Sequence, residues 1–216
     1  MKPTITLGTA TTPVGHTLVL RRRDTEYVIS IDGFTLMVNT VHRSESEMVA
    51  LGSPAPAPGA HVLIGGLGMG FTLRAALDHY PADAVVVIAE LVPEVIEWNR
   101  GELGGLTAYP LNDPRVVVHE GDVAEVVRSS GGRFDAILLD VDNGPDSLVY
   151  DANFWLYTPL GLAAIRKALC PGGAVAVWSA SEEPGFPSRL EAAGFSASVR
   201  KIRAHGSRAV VYVGRR

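Results

Sequence analysis

Cysteine is nearly absent from this chain of 216 residues, and Cys170 is the single one. A lone cysteine excludes a disulfide within the chain. It also excludes a zinc site built from several thiolates, and no metal site is expected. The chemistry of this protein must therefore come from other side chains.

A surplus of positive charge is also missing. The sequence has 19 basic and 23 acidic residues, and its formal net charge is −4 at pH 7. Short basic groups occur at Arg21–Arg23 and at 200–203, and such groups usually form solvated faces of strands. The composition gives no electrostatic footprint for nucleic acid, so we expect no nucleic-acid partner.

No apolar stretch approaches the length needed to span a membrane. The residues Met1 to Thr4 lack the apolar core of a signal peptide. Both observations predict a protein without a membrane partner, located in the cytoplasm.

The first 52 residues are predicted to form a small antiparallel β element and a short helix. Four short segments rich in β-branched residues are separated by turn signals, and the Asp32-Gly33 pair is a good hairpin signal. Ser44 and Glu47 have the spacing of a capping box, which predicts a helix from there to Leu51. The element is too thin for a core of its own, so we expect it to pack on the main domain or on a second subunit.

Residues 53–60 form a proline-rich segment, which we interpret as a stiff linker between the β element and a domain at 61–216. In that domain, apolar runs alternate with helical patterns. The runs are nearly continuous, as in Val116–Val118, which is typical of strands covered on both faces. Strands are expected at 61–65, 85–90, 115–119, 134–140 and 173–178, with helices near 70–79, 93–100, 122–129 and 158–169.

This alternation predicts an α/β fold with a Rossmann-like, doubly wound and mostly parallel sheet. The end of the chain does not continue this alternation of strands and helices. Two strand-like runs at 195–204 and 208–213 are joined by a short turn, which predicts a C-terminal antiparallel hairpin.

Four glycines follow the first apolar run of this domain. Glycines allow a backbone to approach a ligand closely, and a carboxylate that ends the next strand, Glu90, can accept hydrogen bonds from ribose hydroxyls. The loop lacks the dinucleotide spacing and the lysine of a phosphate-binding loop, which favours a nucleoside without phosphates. The predicted cofactor-binding residues of this loop are Gly65, Gly66, Gly68 and Gly70, followed by Glu90 and Leu91.

Two further carboxylates follow the next strands at the same edge of the sheet. Asp122 either caps the helix that starts there or accepts a hydrogen bond from an adenine amino group. Asp140 directly ends a buried strand, where desolvation raises the pKa of a carboxyl and suits it to act as a base. The loop after Asp140 supplies Asp142 and Asn143 as candidate acceptor ligands, and Tyr150 as a candidate wall of the acceptor pocket.

In this order, these motifs resemble the spermidine synthase family, within the wider class I S-adenosylmethionine-dependent methyltransferase fold. The resemblance extends from the β element at 27–38 to the turn at 169–173, and so covers most of the chain. It implies that the glycines and Glu90 bind an adenosyl sulfonium, that Asp122 and Val123 bind adenine, and that Asp140 deprotonates an incoming amine. It also implies a homodimer built by the N-terminal element.

The chain departs from the family pattern at Gly68, where relatives usually carry an aspartate. That aspartate would repel the carboxylate of ordinary S-adenosylmethionine, so its loss removes a penalty against this cofactor. The sequence therefore favours methyl transfer from S-adenosylmethionine to a small nucleophile, and an amine is the expected class of acceptor. The alternative is aminopropyl transfer from decarboxylated S-adenosylmethionine, and a third hypothesis is a nucleoside-binding protein without catalysis.

Overall fold

A computed structural model describes residues 2–141, 154–204 and 207–216, with backbone only at 203–204 and 207–208. Its N-terminal part is a four-stranded antiparallel sheet in which the strands follow one another in chain order. Asp32 and Gly33, both with positive φ, form the tight turn of the predicted hairpin. The strands are β1 (Ile5–Thr11), β2 (Thr17–Arg23), β3 (Glu26–Ile31) and β4 (Phe34–Val38).

Helix α1 (Arg43–Gly52) begins one residue before the predicted start, and the predicted capping box is wrong. The helix cap is His42, which makes no side-chain capping bond. The Ser44 hydroxyl donates to Glu45 Oε2 at 2.7 Å, and Glu47 instead accepts from Arg43 Nε at 2.7 Å. Nearby charged partners thus take both side chains away from the backbone groups that they would cap.

The seven-stranded sheet that follows has the order β10-β11-β9-β8-β5-β6-β7. Its first five strands in chain order run parallel to one another, and β11 is antiparallel to both β9 and β10. The predicted doubly wound sheet and its terminal antiparallel hairpin are confirmed. The strands are β5 (His61–Gly65), β6 (Val85–Glu90), β7 (Val116–Glu120), β8 (Phe134–Leu139), β9 (Leu169–Ser179), β10 (Ser196–Ala204) and β11 (Ser207–Arg215).

Helices cover both faces of this sheet. Along β5, Val62 and Ile64 belong to one buried core and Leu63 to the other, as expected for a strand between two helical layers. This two-sided burial explains why the strands are continuous apolar runs. Within the described ranges, the remaining α-helices are α2 (Phe71–His79), α3 (Pro93–Arg100), α4 (Val123–Ser129), α5 (Pro159–Ala168) and α6 (Phe186–Ala192).

The N-terminal elements pack on the main domain. Leu20 and Ile29 of the small sheet lie in the same core as Val62 and Ile64 of β5. A Cβ atom on Gly52, at the end of α1, would lie 2.4 Å from Ala176 Cβ, so α1 sits directly on β9. Across the described ranges, every helix is too short or too polar to cross a membrane.

Candidate active site

A cavity of about 760 Å³ lies where β5, β6, β7 and β8 end. The carboxyl ends of parallel strands are the usual ligand-binding edge of an open α/β sheet. The four-stranded sheet forms the facing wall with apolar side chains. The cavity therefore lies between the N-terminal sheet and the ligand-binding edge of the seven-stranded sheet. These apolar side chains are Leu18, Ile29, Ile31, Leu36 and Met37.

Two glycines of the loop after β5 line this cavity. Gly66 and Gly68 have φ values of +86° and +51°, a region that L side chains rarely adopt. A Cβ on Gly66 would lie 2.4 Å from the Asp140 carbonyl oxygen, whereas one on Gly68 would lie 2.9 Å from Met37 Cε. The loop therefore needs glycine for both its backbone conformation and its close packing.

The other two glycines serve packing and do not line the cavity. Gly65 lies within β5, and a Cβ there would meet Val123 and Leu139 at 3.0 and 3.1 Å. Gly70 caps α2 in a left-handed conformation. Their positions explain the glycine requirement without a ligand.

Asn99, which the sequence analysis did not identify, holds the loop from behind. It is fully buried on α3 and donates from Nδ2 to the Gly68 carbonyl at 2.8 Å and to the Val95 carbonyl at 2.9 Å. These bonds tie α3 to the loop and fix the path of the cavity-lining backbone.

Glu90 lies at the end of β6 with 9% of its surface exposed and lines the cavity. Its Oε2 accepts the Leu67 N–H and its Oε1 accepts the Val92 N–H, both at 2.9 Å. Burial raises the pKa of Glu90, and these backbone N–H groups oppose the rise. Each carboxylate oxygen can accept more than one hydrogen bond, so the group can still receive ribose hydroxyls.

Asp122 takes the first of the two roles left open by its sequence position. It caps α4, and its Oδ1 accepts the Ala124 N–H at 2.8 Å. It also lines the cavity together with Leu91 and Val123, so the cap places a carboxylate beside the ligand space.

Asp140 follows β8 and lines the same cavity. Thr72, in the first turn of α2, donates from Oγ1 to Asp140 Oδ2 at 2.5 Å. Burial first, and then the negative charge of Glu45, raise the pKa of Asp140 to about 7, while the Thr72 bond opposes the rise. A carboxyl group with this pKa can accept and release a proton near neutral pH.

Glu45 is a second cavity residue that the sequence analysis did not select. It lies in the first turn of α1, which packs against α2, and its charge acts on Asp140. Burial raises the pKa of Glu45 as well, and the Ser44 hydroxyl opposes the rise. Its sequence separation from Asp140 hides this proximity.

The described lining of the cavity is acidic. It contains four carboxylates and no lysine, arginine or histidine. Within the described ranges, no three His, Cys, Asp or Glu side chains converge to hold a metal ion. The cavity is therefore suited to ligands that carry positive charge. The four carboxylates are Glu45, Glu90, Asp122 and Asp140.

The predicted acceptor ligands Asp142, Asn143 and Tyr150 lie outside the described residues. Of the other predicted site residues, the structure places Gly66, Gly68, Glu90, Leu91, Asp122, Val123 and Asp140 around one cavity.

Comparisons with known proteins agree on one family. Residues 15–185 match the family model described as the spermine/spermidine synthase domain. The polyamine aminopropyltransferase of Leptospira biflexa is 30% identical over 160 residues, which cover 71% of this chain and 53% of that protein. The spermidine synthase of Dictyostelium discoideum is 27% identical over 164 residues, covering 73% and 54%. The chain thus spans about half the length of these curated relatives.

Solved structures show the same fold. The spermidine synthase of Thermotoga maritima superimposes with a TM-score of 0.72 at 22% identity, over 97% of this chain and 72% of that one. A probable spermidine synthase from Corynebacterium glutamicum gives a TM-score of 0.71 at 17% identity, over 96% and 79%. The family model and the relative from Leptospira biflexa show that the chain belongs to the spermine/spermidine synthase family.

Proposed function

We propose that this protein is an aminopropyltransferase that moves the aminopropyl group of decarboxylated S-adenosylmethionine to a small amine. The observation that carries the proposal is the acidic cavity, which joins the glycine loop and Glu90 to Asp140. Both reactants of this transfer are cations, a sulfonium and an ammonium. Carboxylates in a poorly hydrated cavity stabilise such charges far better than they would in water.

The family comparisons and the cavity favour aminopropyl transfer over the methyl transfer expected from Gly68. The relatives are named as aminopropyltransferases and spermidine or spermine synthases. Ordinary S-adenosylmethionine carries a carboxylate, and the described lining offers no cation to pair with it. The missing aspartate at Gly68 removes one negative charge, but Glu45 and Asp140 keep the cavity acidic. The residue at position 68 alone therefore does not predict the charge of the whole cavity.

We assign the nucleoside to the side of the cavity formed by Gly66, Gly68, Glu90 and Asp122. The glycine backbone approaches the ligand closely, and Glu90 has free acceptor capacity for the ribose hydroxyls. Asp122 has one oxygen engaged by its helix and can accept an adenine amino proton with the other. Leu91 and Val123 provide apolar contact for the base.

Asp140 is assigned as the general base. A bound sulfonium supplies a carbon that is already activated for displacement by a nitrogen lone pair. Asp140 accepts one proton from the acceptor ammonium, which frees that lone pair. As the new C–N bond forms, the C–S bond breaks, and its electron pair leaves with sulfur in a neutral thioether nucleoside. The residues contribute mainly by positioning and by this proton transfer.

The test is direct product analysis. The protein is incubated with decarboxylated S-adenosylmethionine and 1,4-diaminobutane, and in parallel with S-adenosylmethionine, and the products are measured by mass spectrometry. We expect aminopropylated amine with the first donor only, and a loss of about 10²-fold or more in Asp140→Asn. Methylated amine, or turnover that persists in Asp140→Asn, would contradict the proposal.

We further propose that the protein forms a homodimer through its N-terminal sheet. Phe34 is 77% exposed in the β3–β4 hairpin, and Ile5 and Val14 are also exposed apolar residues of this part of the chain. Light scattering with size exclusion should give twice the monomer mass, and Phe34→Ser should shift the protein toward monomer. A monomeric wild-type protein would contradict the proposal. A location in the cytoplasm stays a prediction.

A further inference from the structure

Glu45 has no role among the predicted nucleoside and acceptor residues, yet it lines the cavity near the proposed base. We propose that Glu45 binds the acceptor directly and forms, with Asp140, a two-carboxylate clamp on the ammonium group that reacts. This inference rests on the proposed aminopropyl transfer and assigns one more residue to its acceptor site.

The position of Glu45 is fixed from two directions. Helix α1 packs against α2 and lies on β9, two elements next to the site. The hydroxyl of Ser44, itself buried, donates to Glu45 Oε2 at 2.7 Å. A carboxylate has about four acceptor sites, so Glu45 held in this way keeps acceptor capacity for a ligand.

The two carboxylates differ in their partners. Asp140 receives the Thr72 hydroxyl, and Glu45 receives the neighbouring Ser44 hydroxyl and its own backbone N–H. Among the described residues no cation pairs with either group, and the other acids that face the cavity are Glu90 and Asp122. Two partly buried like charges without a cation are unfavourable, and a bound ammonium relieves the repulsion.

An ammonium group has three N–H donors, which can be shared between the two carboxylates. When Asp140 takes one proton, Glu45 retains its charge and holds a remaining N–H of the neutral amine. The nitrogen stays in place while its lone pair becomes free for the displacement. The charge of Glu45 also makes Asp140 a stronger base, since it raises the pKa of that carboxyl.

The experiment compares Glu45→Gln with a matched control, Glu47→Gln. Glu47 lies two residues further along the same helix, pairs with Arg43 and does not line the cavity. We measure the KM for 1,4-diaminobutane, kcat, the pH profile of kcat/KM, and the affinity for 5′-methylthioadenosine. The nucleoside affinity serves as an independent readout, because Glu45 is not assigned to that side of the cavity.

For Glu45→Gln we expect the KM of the amine to rise by about ten-fold or more. We also expect the acid limb of the profile to move to lower pH, because the charge that opposes ionisation of Asp140 is gone. Nucleoside affinity should stay unchanged, and Glu47→Gln should behave as wild type. A variant with the wild-type KM and an unmoved acid limb would overturn the inference.

A wild-type protein that transfers no aminopropyl group would defeat the proposed function instead. The clamp is then tested by calorimetry with 1,4-diaminobutane on protein saturated with 5′-methylthioadenosine, where Glu45→Gln should weaken amine binding by a similar factor. Equal binding by both proteins would overturn the clamp.

If Glu45→Gln melts well below wild type, the variant Glu45→Asp is used in its place. Glu45→Asp keeps the charge, so the acid limb of the pH profile should stay in place while the KM of the amine rises. A displaced acid limb in Glu45→Asp would then count against the assignment.

Discussion

Thr72 Oγ1 donates a hydrogen bond of 2.5 Å to Asp140 Oδ2, across 68 residues of sequence. Thr72 is only 2% exposed and lies in the first turn of α2, directly after the glycine loop. The bond therefore connects the proposed nucleoside-binding loop to the proposed base. It fixes the direction of the carboxylate and opposes the rise of its pKa.

Thr72→Val keeps the shape of the side chain and removes this hydrogen bond. Because the bond stabilises the charged form of Asp140, its loss should raise the pKa of Asp140 further above about 7. We expect the acid limb of the kcat/KM profile to move to higher pH. Turnover at pH 7 should fall by about ten-fold and recover in part at pH 9.

Thr72→Ser is the matched control, since it keeps the hydroxyl and loses only a methyl group. Its pH profile should follow that of wild type. An equal loss of activity at every pH in Thr72→Val would instead indicate a packing effect, and would contradict a role through Asp140.

Asp140 should reduce the stability of the folded protein as the pH rises. Its pKa in the folded state is about 7, against an ordinary value of 3.8, so the folded state binds this proton more tightly than the unfolded state. The stabilising proton is fully bound at low pH and is lost as the pH rises through about 7. Asp140→Asn has no such penalty and can still accept the Thr72 bond.

We therefore expect the free energy of unfolding of Asp140→Asn to exceed that of wild type at pH 8, by roughly 1 to 3 kcal/mol. This difference in the free energy of unfolding should be smaller at pH 5. Urea unfolding of both proteins at pH 5 and pH 8 measures the difference. An advantage that is constant with pH would show that the raised pKa of Asp140 is not its source.

Much of the sheet and of its ligand-binding edge could be predicted from the sequence. Strands buried on both faces are continuous apolar runs, and residues that follow parallel strands meet at one edge by geometry. Glu90 and Asp140 were identified for this reason. The sequence could not predict which glycines line the cavity and which serve packing. That distinction depends on Met37, Asn99 and Val123, which reach the loop from other elements.

Glu45 illustrates a different limit. Its approach to Asp140 depends on how α1 packs against α2, and no local pattern encodes that contact. Local pattern was even misleading at this helix, where the spacing of Ser44 and Glu47 predicted a capping box that does not form. Where a side chain has two possible hydrogen-bonding partners, the tertiary packing determines which of them it binds. The local sequence predicts the helix itself, but not that its first turn contributes Glu45 to the candidate active site.

The two lining glycines should respond differently to alanine. A Cβ on Gly68 meets the end of the flexible Met37 side chain, but one on Gly66 meets the Asp140 carbonyl. We expect Gly68→Ala to weaken 5′-methylthioadenosine binding by about ten-fold, and Met37→Ala to restore part of the loss in the double variant. Part of the deficit should persist, because the left-handed backbone at Gly68 disfavours any side chain.

Gly66→Ala should lose more affinity, and Met37→Ala should not restore it, because backbone cannot move aside cheaply. Calorimetric titration of wild type, the three single variants and the two double variants forms a double-mutant comparison. Equal rescue of both alanine variants by Met37→Ala would contradict the assigned contacts.

Glu90 should be required for loop structure as well as for nucleoside binding. Its two oxygens accept the Leu67 and Val92 N–H groups, so Glu90→Ala leaves both donors without this partner. Glu90→Gln keeps one acceptor but turns an amide N–H₂ toward the other donor. Each buried donor left unsatisfied costs about 1 to 3 kcal/mol. The affinity for 5′-methylthioadenosine should therefore decrease from wild type to Glu90→Gln to Glu90→Ala, and the melting temperature should decrease in the same order. An affinity loss without a change in melting temperature would assign Glu90 to the ribose alone, and an unchanged affinity would remove it from the site.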